Sequence, residues 1–256
     1  MGFLGFQRPA FDFYLGRAKL CLGPKTKIMG VLNVTPDSFS DGGLFLDAGR
    51  AEDRALRMEA EGAHCIDIGG ESSRPGSKPV SSREEIKRIR PVLKRLSRRL
   101  KIPISVDTYK EEVARVALDE GAVLINDIFA LRENKRLARL IAKYKASVVL
   151  MHMQQEPRTM QKNPHYRNLV GEVRTYLKKA VDFALQEGIP KHKILIDPGF
   201  GFGKTTEQNL QLLCRLDEFS GLGYPVLAGL SRKSFLGNIL GLAVHDRLQA
   251  IVKPNP

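Results

Sequence analysis

Residues 103–128 read PISVDTYKEEVARVALDEGAVLINDI. An apolar run ends in Asp107, a helical segment follows with Val116 and Ala117 three and four residues after Val113, Gly121 stops it, and a second apolar run ends in Asn126 and Asp127. Both runs are short and apolar on alternate and intervening positions alike, which is the pattern of a strand covered on both faces. Strand, helix and strand in this order predict one parallel βαβ unit whose polar residues stand at the strand ends.

The same unit recurs outward in both directions. Seven apolar runs are present: IMGVLN, CIDIGG, PISVDT, VLINDI, SVVLMH, ILIDPG and PVLAGLS. Between them lie segments with helical periodicity, and Ser82 with Glu85 and Thr205 with Gln208 fit the capping-box pattern. Every run ends in hydrogen-bonding capacity: Asn33, Asp67, Asp107, Asn126 with Asp127, His152, Asp197 and Ser231. A doubly wound sheet confines its site to the point where strand order reverses, whereas a barrel gathers chemistry from most strand ends at one mouth. A (β/α)8 barrel is therefore predicted, as a single domain of residues 1–256. Residues 1–26 form an N-terminal hairpin that plugs the floor, residues 27–249 form the barrel, and residues 250–256 form an unmatched tail. The runs supply seven strands, so the eighth is missing from the expected set.

Composition narrows the function. The 256 residues are 43% hydrophobic and 27% charged, and no segment approaches the run of about 18 apolar residues that spans a bilayer. Arg8, Asp12 and Arg17 interrupt the first residues, so no secretory leader is expected, and Phe6 breaks the myristoylation pattern. Three cysteines without C-x-x-C spacing, Cys21, Cys65 and Cys214, suit a reducing, cytoplasmic compartment. The net charge of +13 calls for an anionic substrate or a nucleic acid. Much of it lies in EEIKRIRPVLKRLSRRLK, where Ile86, Ile89, Leu93, Leu96 and Leu100 define an amphipathic helix with a solvated basic face. Aromatic residues are not interleaved with those charges, so stacking on single-stranded nucleic acid is not supported.

The strand ends suggest a ligand. Asp107, Asn126 and Asp197 offer two carboxylates and an amide, a set suited to the guanidine-like edge of an aminopyrimidinone as well as to acid–base work. Arg74 suits a phosphate fork, and Arg232 and Lys233 stand at the expected start of a helix, where anions are favoured. DPGFGFGK lacks the spacing of a nucleotide-binding P-loop, which argues against nucleotide hydrolysis. The histidines show no paired metal-ligand spacing; His152 is expected at the mouth.

The segments IMGVLNVTPDSFSDGG, DIGGESSRPGS, SVDTYK, NDI, LMHMQQEPRTMQ, IDPGFGFGKT and GLSRKSFLG occur in this order, and from Lys27 to Gln249 the chain resembles the dihydropteroate synthase family of folate biosynthesis. The resemblance implies a (β/α)8 barrel transferase, a sulfonamide target, that joins 6-hydroxymethyl-7,8-dihydropterin diphosphate to p-aminobenzoate by a dissociative route. It implies that Asp107, Asn126, Met151, Asp197 and Lys233 hold the pterin. Thr35, Phe39, Ser73, Pro75, Phe202 and Ser234 hold p-aminobenzoate, and Asn33 and Arg74 serve the diphosphate. Asn33 would reach a magnesium ion, and Asp37, Arg74 and Lys233 would be catalytic. Residues 35–39 and 72–76 would be closing loops, and the enzyme a homodimer. The family's eighth strand ends in Arg-x-His-Asp, and nothing after Gln249 matches it, so an altered or truncated ending and weak turnover are expected. The alternatives are a catalytically impaired pterin-binding homologue, a related pterin-binding methyltransferase, against which TPDSF and SRKSF count, and a basic nucleic-acid-binding protein.

Overall fold

The computed structural model describes residues 9–35, 48–73, 76–132 and 134–241. Two strands, β1 (Phe11–Leu15) and β2 (Ala18–Leu22), pair antiparallel as the expected hairpin. Six parallel strands follow in sequential order: β3 (Met29–Asn33), β4 (Cys65–Gly69), β5 (Ile104–Asp107), β6 (Leu124–Asp127), β7 (Ser147–Met151) and β8 (Ile194–Asp197). The connections carry α1 (Ala48–Ala60), α2 (Ser82–Arg99), α3 (Glu111–Asp119), α4 (Lys135–Lys143) and α5 (Leu169–Gln186). After β8 come α6 (Thr206–Cys214), α7 (Asp217–Ser220) and α8 (Ser234–Leu240). Strand order equal to chain order, with a helix in each crossover, is the winding of an α/β barrel.

The predicted seventh barrel strand is reduced to one parallel bridge, Ile196 with Val226, closed by Leu227 N donating to Ile196 O and Ile196 N donating to Pro225 O. Among the described residues no strand lies on its far side, and residues 228–231 leave the ladder. The opposite edge, β3, exposes Val31 to 56%, although Val31 belongs to the inward-facing set.

Alternation of side chains divides the core into three. Outward residues Ile66, Ile68, Val106, Ile125, Val148, Leu150 and Ile196 pack on apolar faces of the helices, including Ile89, Leu93 and Leu96 of α2. Inward residues at the lower end, Cys65, Leu124, Val149 and Leu195, meet Phe13 and Leu15 of the hairpin, which closes the floor as expected. A third cluster, Ile128, Met151, Met153, Met160 and Phe202, lies at the rim where the strands end.

Two local expectations shift. The cap of α2 is Ser81, which accepts from Glu84 N, one residue before the Ser82–Glu85 pair; Glu85 is instead buried against Lys110. Thr205 and Gln208 form both bonds of the expected capping box at α6. The periodic segment that this box opens divides at Arg215 into α6 and α7, and the Arg215 guanidinium turns back to Glu218.

Candidate active site

Register brings the polar strand ends together. Asn33 pairs with Gly69, Gly69 with Asp107, and Asp107 with Asn126, which makes one row across four strands. Asn126 then pairs with Val149, whereas Asp197 pairs with Met151 two residues further on. Met151 and Asp197 therefore stand one layer nearer the mouth, the stagger that strand tilt imposes on a barrel. Gly69 keeps the row open. A Cβ there would stand 3.1 Å from Asn33 Oδ1 and 3.8 Å from Asp107 Oδ2, so a larger residue would separate the amide from the carboxylate.

Lys233 crosses above this row. It is the N-cap of α8 and is half-buried; a Cβ on Gly201 would stand 2.9 Å from its Cδ, and its Nζ lies 4.1 Å from the centroid of the Phe202 ring. Burial pushes the Lys233 ammonium below its ordinary value while the neighbouring Asp197 and Asp107 pull it back up. Asp197 is buried, its Oδ1 accepts from Gly199 N at 2.7 Å, and burial raises it to about 6 against the opposing effects of Gly199 N–H, Lys233 and Lys204. Asp107 is raised well above the usual carboxylate range by burial and by Asp67, Glu85, Asp127 and Glu71. The mouth thus presents carboxyls held close to neutrality, an amide, and one cation over an aromatic face.

Beneath the row lies a residue that sequence reasoning noted as a strand end but did not assign. Asp67, in register with Val31 and Ser105, is buried and accepts from Asn126 Nδ2 at 2.9 Å. It orients the Asn126 amide so that the amide oxygen is left for a ligand. Its position in CIDIGG, two residues before the glycine that opens the row, was the available signal.

The base of residues 72–76 is anchored. Lys110 Nζ bonds Glu71 Oε2 at 2.5 Å, Glu85 Oε2 at 2.6 Å and Val80 O at 2.7 Å, and Tyr109 donates to Glu71 Oε1 at 3.0 Å. Ser73 shares a small crevice with Asp107, Thr108 and Tyr109. Gly76 N reaches Pro157 O at 3.3 Å and Gln161 Nε2 reaches Gly201 O at 2.8 Å, so the rim loops contact one another. A larger cleft of about 390 Å³ lies at the floor, between Phe11 and Phe13 of the hairpin and Lys191, His192 and Pro225. It lacks the convergent carboxylates, so the mouth is the candidate site.

Of the other expected residues, Thr35, Met151 and Phe202 are buried near the strand ends and Ser234 is exposed at the start of α8. Asp37, Phe39, Arg74 and Pro75 lie outside the described residues. His152 does not line the mouth. It follows the last inward residue of β7 and so points behind the sheet, where it is buried against Tyr176 with ring centroids 4.9 Å apart. Asp127 likewise serves the backbone, accepting from Phe129 N and Leu131 N.

A parallel α/β sheet with a hairpin floor, and with carboxylates, an amide and a lysine gathered at the strand C-termini, has the architecture of a barrel enzyme with its polar site at the mouth. The family model described as "Pterin binding enzyme" matches residues 29–252, beginning just inside the Lys27–Gln249 span of the motifs and ending just beyond it. The dihydropteroate synthase of Synechocystis is 46% identical over 226 residues, covering 88% of this chain and 78% of that protein. The Yersinia pestis dihydropteroate synthase, solved as a complex with a sulfonamide drug, superposes with a TM-score of 0.88 at 41% identity over 94% of this chain and 86% of that one. The Xanthomonas albilineans dihydropteroate synthase, solved in complex with 7,8-dihydropteroate, gives 0.81 at 41% identity over 94% and 85%. The chain therefore belongs to the pterin-binding enzyme family and, within it, to the dihydropteroate synthases, transferases of folate biosynthesis.

Proposed function

We propose that this chain condenses 6-hydroxymethyl-7,8-dihydropterin diphosphate with p-aminobenzoate to give 7,8-dihydropteroate and diphosphate, with the pterin seated on the row formed by Asp107, Asn126 and Asp197. The observation that carries this is the convergence of Asp107, Asn126 and Asp197 with Lys233 at one mouth. Ionised, the carboxylates accept the ring and exocyclic N–H groups of the aminopyrimidinone, Asn126 supplies an amide oxygen, and Lys233 donates to a ring acceptor. Met151 lines the slot. Thr35, Ser73, Phe202 and Ser234 frame the aminobenzoate, with Phe202 offering a face for its ring. Asp37, Phe39, Arg74 and Pro75 keep the roles implied by the family, Arg74 on the diphosphate and the others on the closing loops.

The chemistry needs no side-chain nucleophile. The C–O bond to diphosphate breaks, positive charge develops on the exocyclic methylene, the arylamine nitrogen forms the new C–N bond and then loses a proton. Asp107 and Asp197, when ionised, favour that positive charge in a site from which water is excluded. Magnesium is proposed as the partner of the diphosphate: Asn33 Oδ1 and Asp107 Oδ2 approach the same point above Gly69, and such oxygen donors suit a hard cation that keeps its waters. Asn33 would hold the ion, which when bound would neutralise charge on the leaving group. Three free thiols favour a cytoplasmic setting, and exposed Ile239 and Leu240 on α8 favour a homodimer, which sedimentation of the purified chain tests.

Calorimetric titration of the pterin diphosphate with and without magnesium, followed by p-aminobenzoate, tests the reading. Asp197→Asn should weaken pterin binding by about tenfold or more, since a hydrogen bond to a charged partner contributes ~1.5–3 kcal/mol. Unchanged affinity in that variant would remove Asp197 from the site.

A further inference from the structure

Lys204 closes the DPGFGFGK motif, and the reaction above makes no use of it. Its side chain is 3% exposed, and among the described residues no carboxylate lies within ion-pair distance. The ammonium instead faces two carbonyl acceptors, Gly199 O at 2.9 Å and Phe202 O at 2.9 Å, and the ring nitrogen His152 Nδ1 at 3.0 Å, an acceptor in the tautomer that carries its proton on Nε2. A lysine ammonium has three N–H donors, and a neutral amine has two and a lone pair. With His152 in that tautomer, only the charged form fills all three positions, in a place where burial disfavours charge.

The turn it gathers is part of the site. Gly199 sits at φ +73°, and a Cβ there would stand 1.9 Å from His152 O, so only glycine fits. Gly199 N orients Asp197 Oδ1, Phe202 N donates to Gly199 O at 3.1 Å, and the Phe202 ring carries Lys233 on its face. His152 is fixed in turn by Tyr176 and by its backbone N–H on Asp197 O at 2.9 Å. Lys204 therefore stands behind the turn and Lys233 in front of it.

We infer that Lys204 is a positioning residue for the pterin site, whose ammonium holds the turn of residues 199–202 so that Asp197 and Phe202 face the substrates. The inference rests on the assignment of Asp197 and Phe202 to substrate binding made above. The charged groups around Lys204 are Asp197 from β8, which favours its protonation, and Lys233 ahead of α8, which opposes it; His152 beside it is kept neutral, pushed down to about 2 chiefly by burial. Burial brings Lys204 down to about 7. Between there and the ordinary 10.5 the unfolded chain binds the additional proton, so this group makes the fold more stable as pH rises. Substrate binding moves the other way, because the neutral amine releases one of its three acceptors. A lysine serving stability alone would not separate the two trends.

The test is calorimetric binding of 6-hydroxymethylpterin to the full chain from pH 6.5 to 9, with melting temperature followed alongside. Lys204→Met should bind about tenfold more weakly at pH 6.5. It should also lose part of the alkaline fall seen in the unmodified chain and melt at the same temperature or higher. Equal affinity at pH 6.5 overturns the inference and leaves the functional reading standing. His152→Leu, which removes one acceptor and touches no substrate, should shift the alkaline limb to lower pH; an unmoved limb also overturns it, even if Lys204→Met does not fold. Should the unmodified chain bind no pterin at any pH, the functional reading falls and this inference with it.

Discussion

At the scale of single residues, the site is governed by carboxyls whose burial opposes the charge that recognition requires. Asp197 is raised to about 6 from the ordinary 3.8, so pterin binding should strengthen as pH rises through 6, when the acceptor form is populated. Stability responds with the opposite sign. The folded chain holds the Asp197 proton more tightly than the unfolded chain does, so between about pH 4 and 6 this group makes the fold less stable as pH increases. Relative to the unmodified chain, Asp197→Asn should therefore raise the melting temperature more at pH 6.5 than at pH 4.5. An unaltered difference between the two temperatures would mean that Asp197 is not held neutral by burial. Asp107, Asn126 and Asp197 were legible as candidates because polar residues ending apolar runs stand out, and Lys233 because it stands at the expected start of a helix. His152 looked the same in sequence, yet one residue of strand register turns it to the rear face.

At the scale of elements, the hairpin and the helix caps determine how the sheet is held. Phe13 is 1% exposed and packs with Leu15, Cys65, Leu124, Val149 and Leu195 inside the lower end of the sheet. Phe13→Ala should cost ~3–5 kcal/mol in urea denaturation, the usual range for deleting a buried aromatic ring. Pterin affinity should change little, because the floor lies at the opposite end of the strands from the mouth. The hairpin was readable from FDFYLGRAKLCLG, whose runs are broken by Gly16 at φ +59°. The cap of α2 was misplaced by one residue because Ser81 and Ser82 are both followed three positions later by a glutamate. The choice falls to Ser81 because Lys110, from the start of α3, draws Glu85 inward.

At the scale of the whole molecule, the +13 charge belongs to helix exteriors that are partly neutralised. Arg95 and Arg99 of α2 bridge to Glu52 of α1, Arg90 to Glu120 after α3, and Arg88 to Glu84 on its own helix. The chain should therefore show no steeply salt-dependent affinity for DNA at physiological ionic strength; a log–log slope of several units in a salt titration would restore the nucleic-acid reading. No helix among the described residues is long and apolar enough to cross a membrane. The sequence by itself determined the parallel winding, the hairpin, the candidate heterocycle contacts and the family. These rest on periodicity, strand-end chemistry and motif order, which are local in the chain. Only the tertiary structure decided that Asn33, Asp107 and Asn126 share a row while Asp197 stands a layer higher, that Asp67 supports Asn126, and that Lys204 backs the loop opposite Lys233. Those relations depend on register between strands and on the depth at which a charge is buried, and both are fixed by packing between segments remote in sequence.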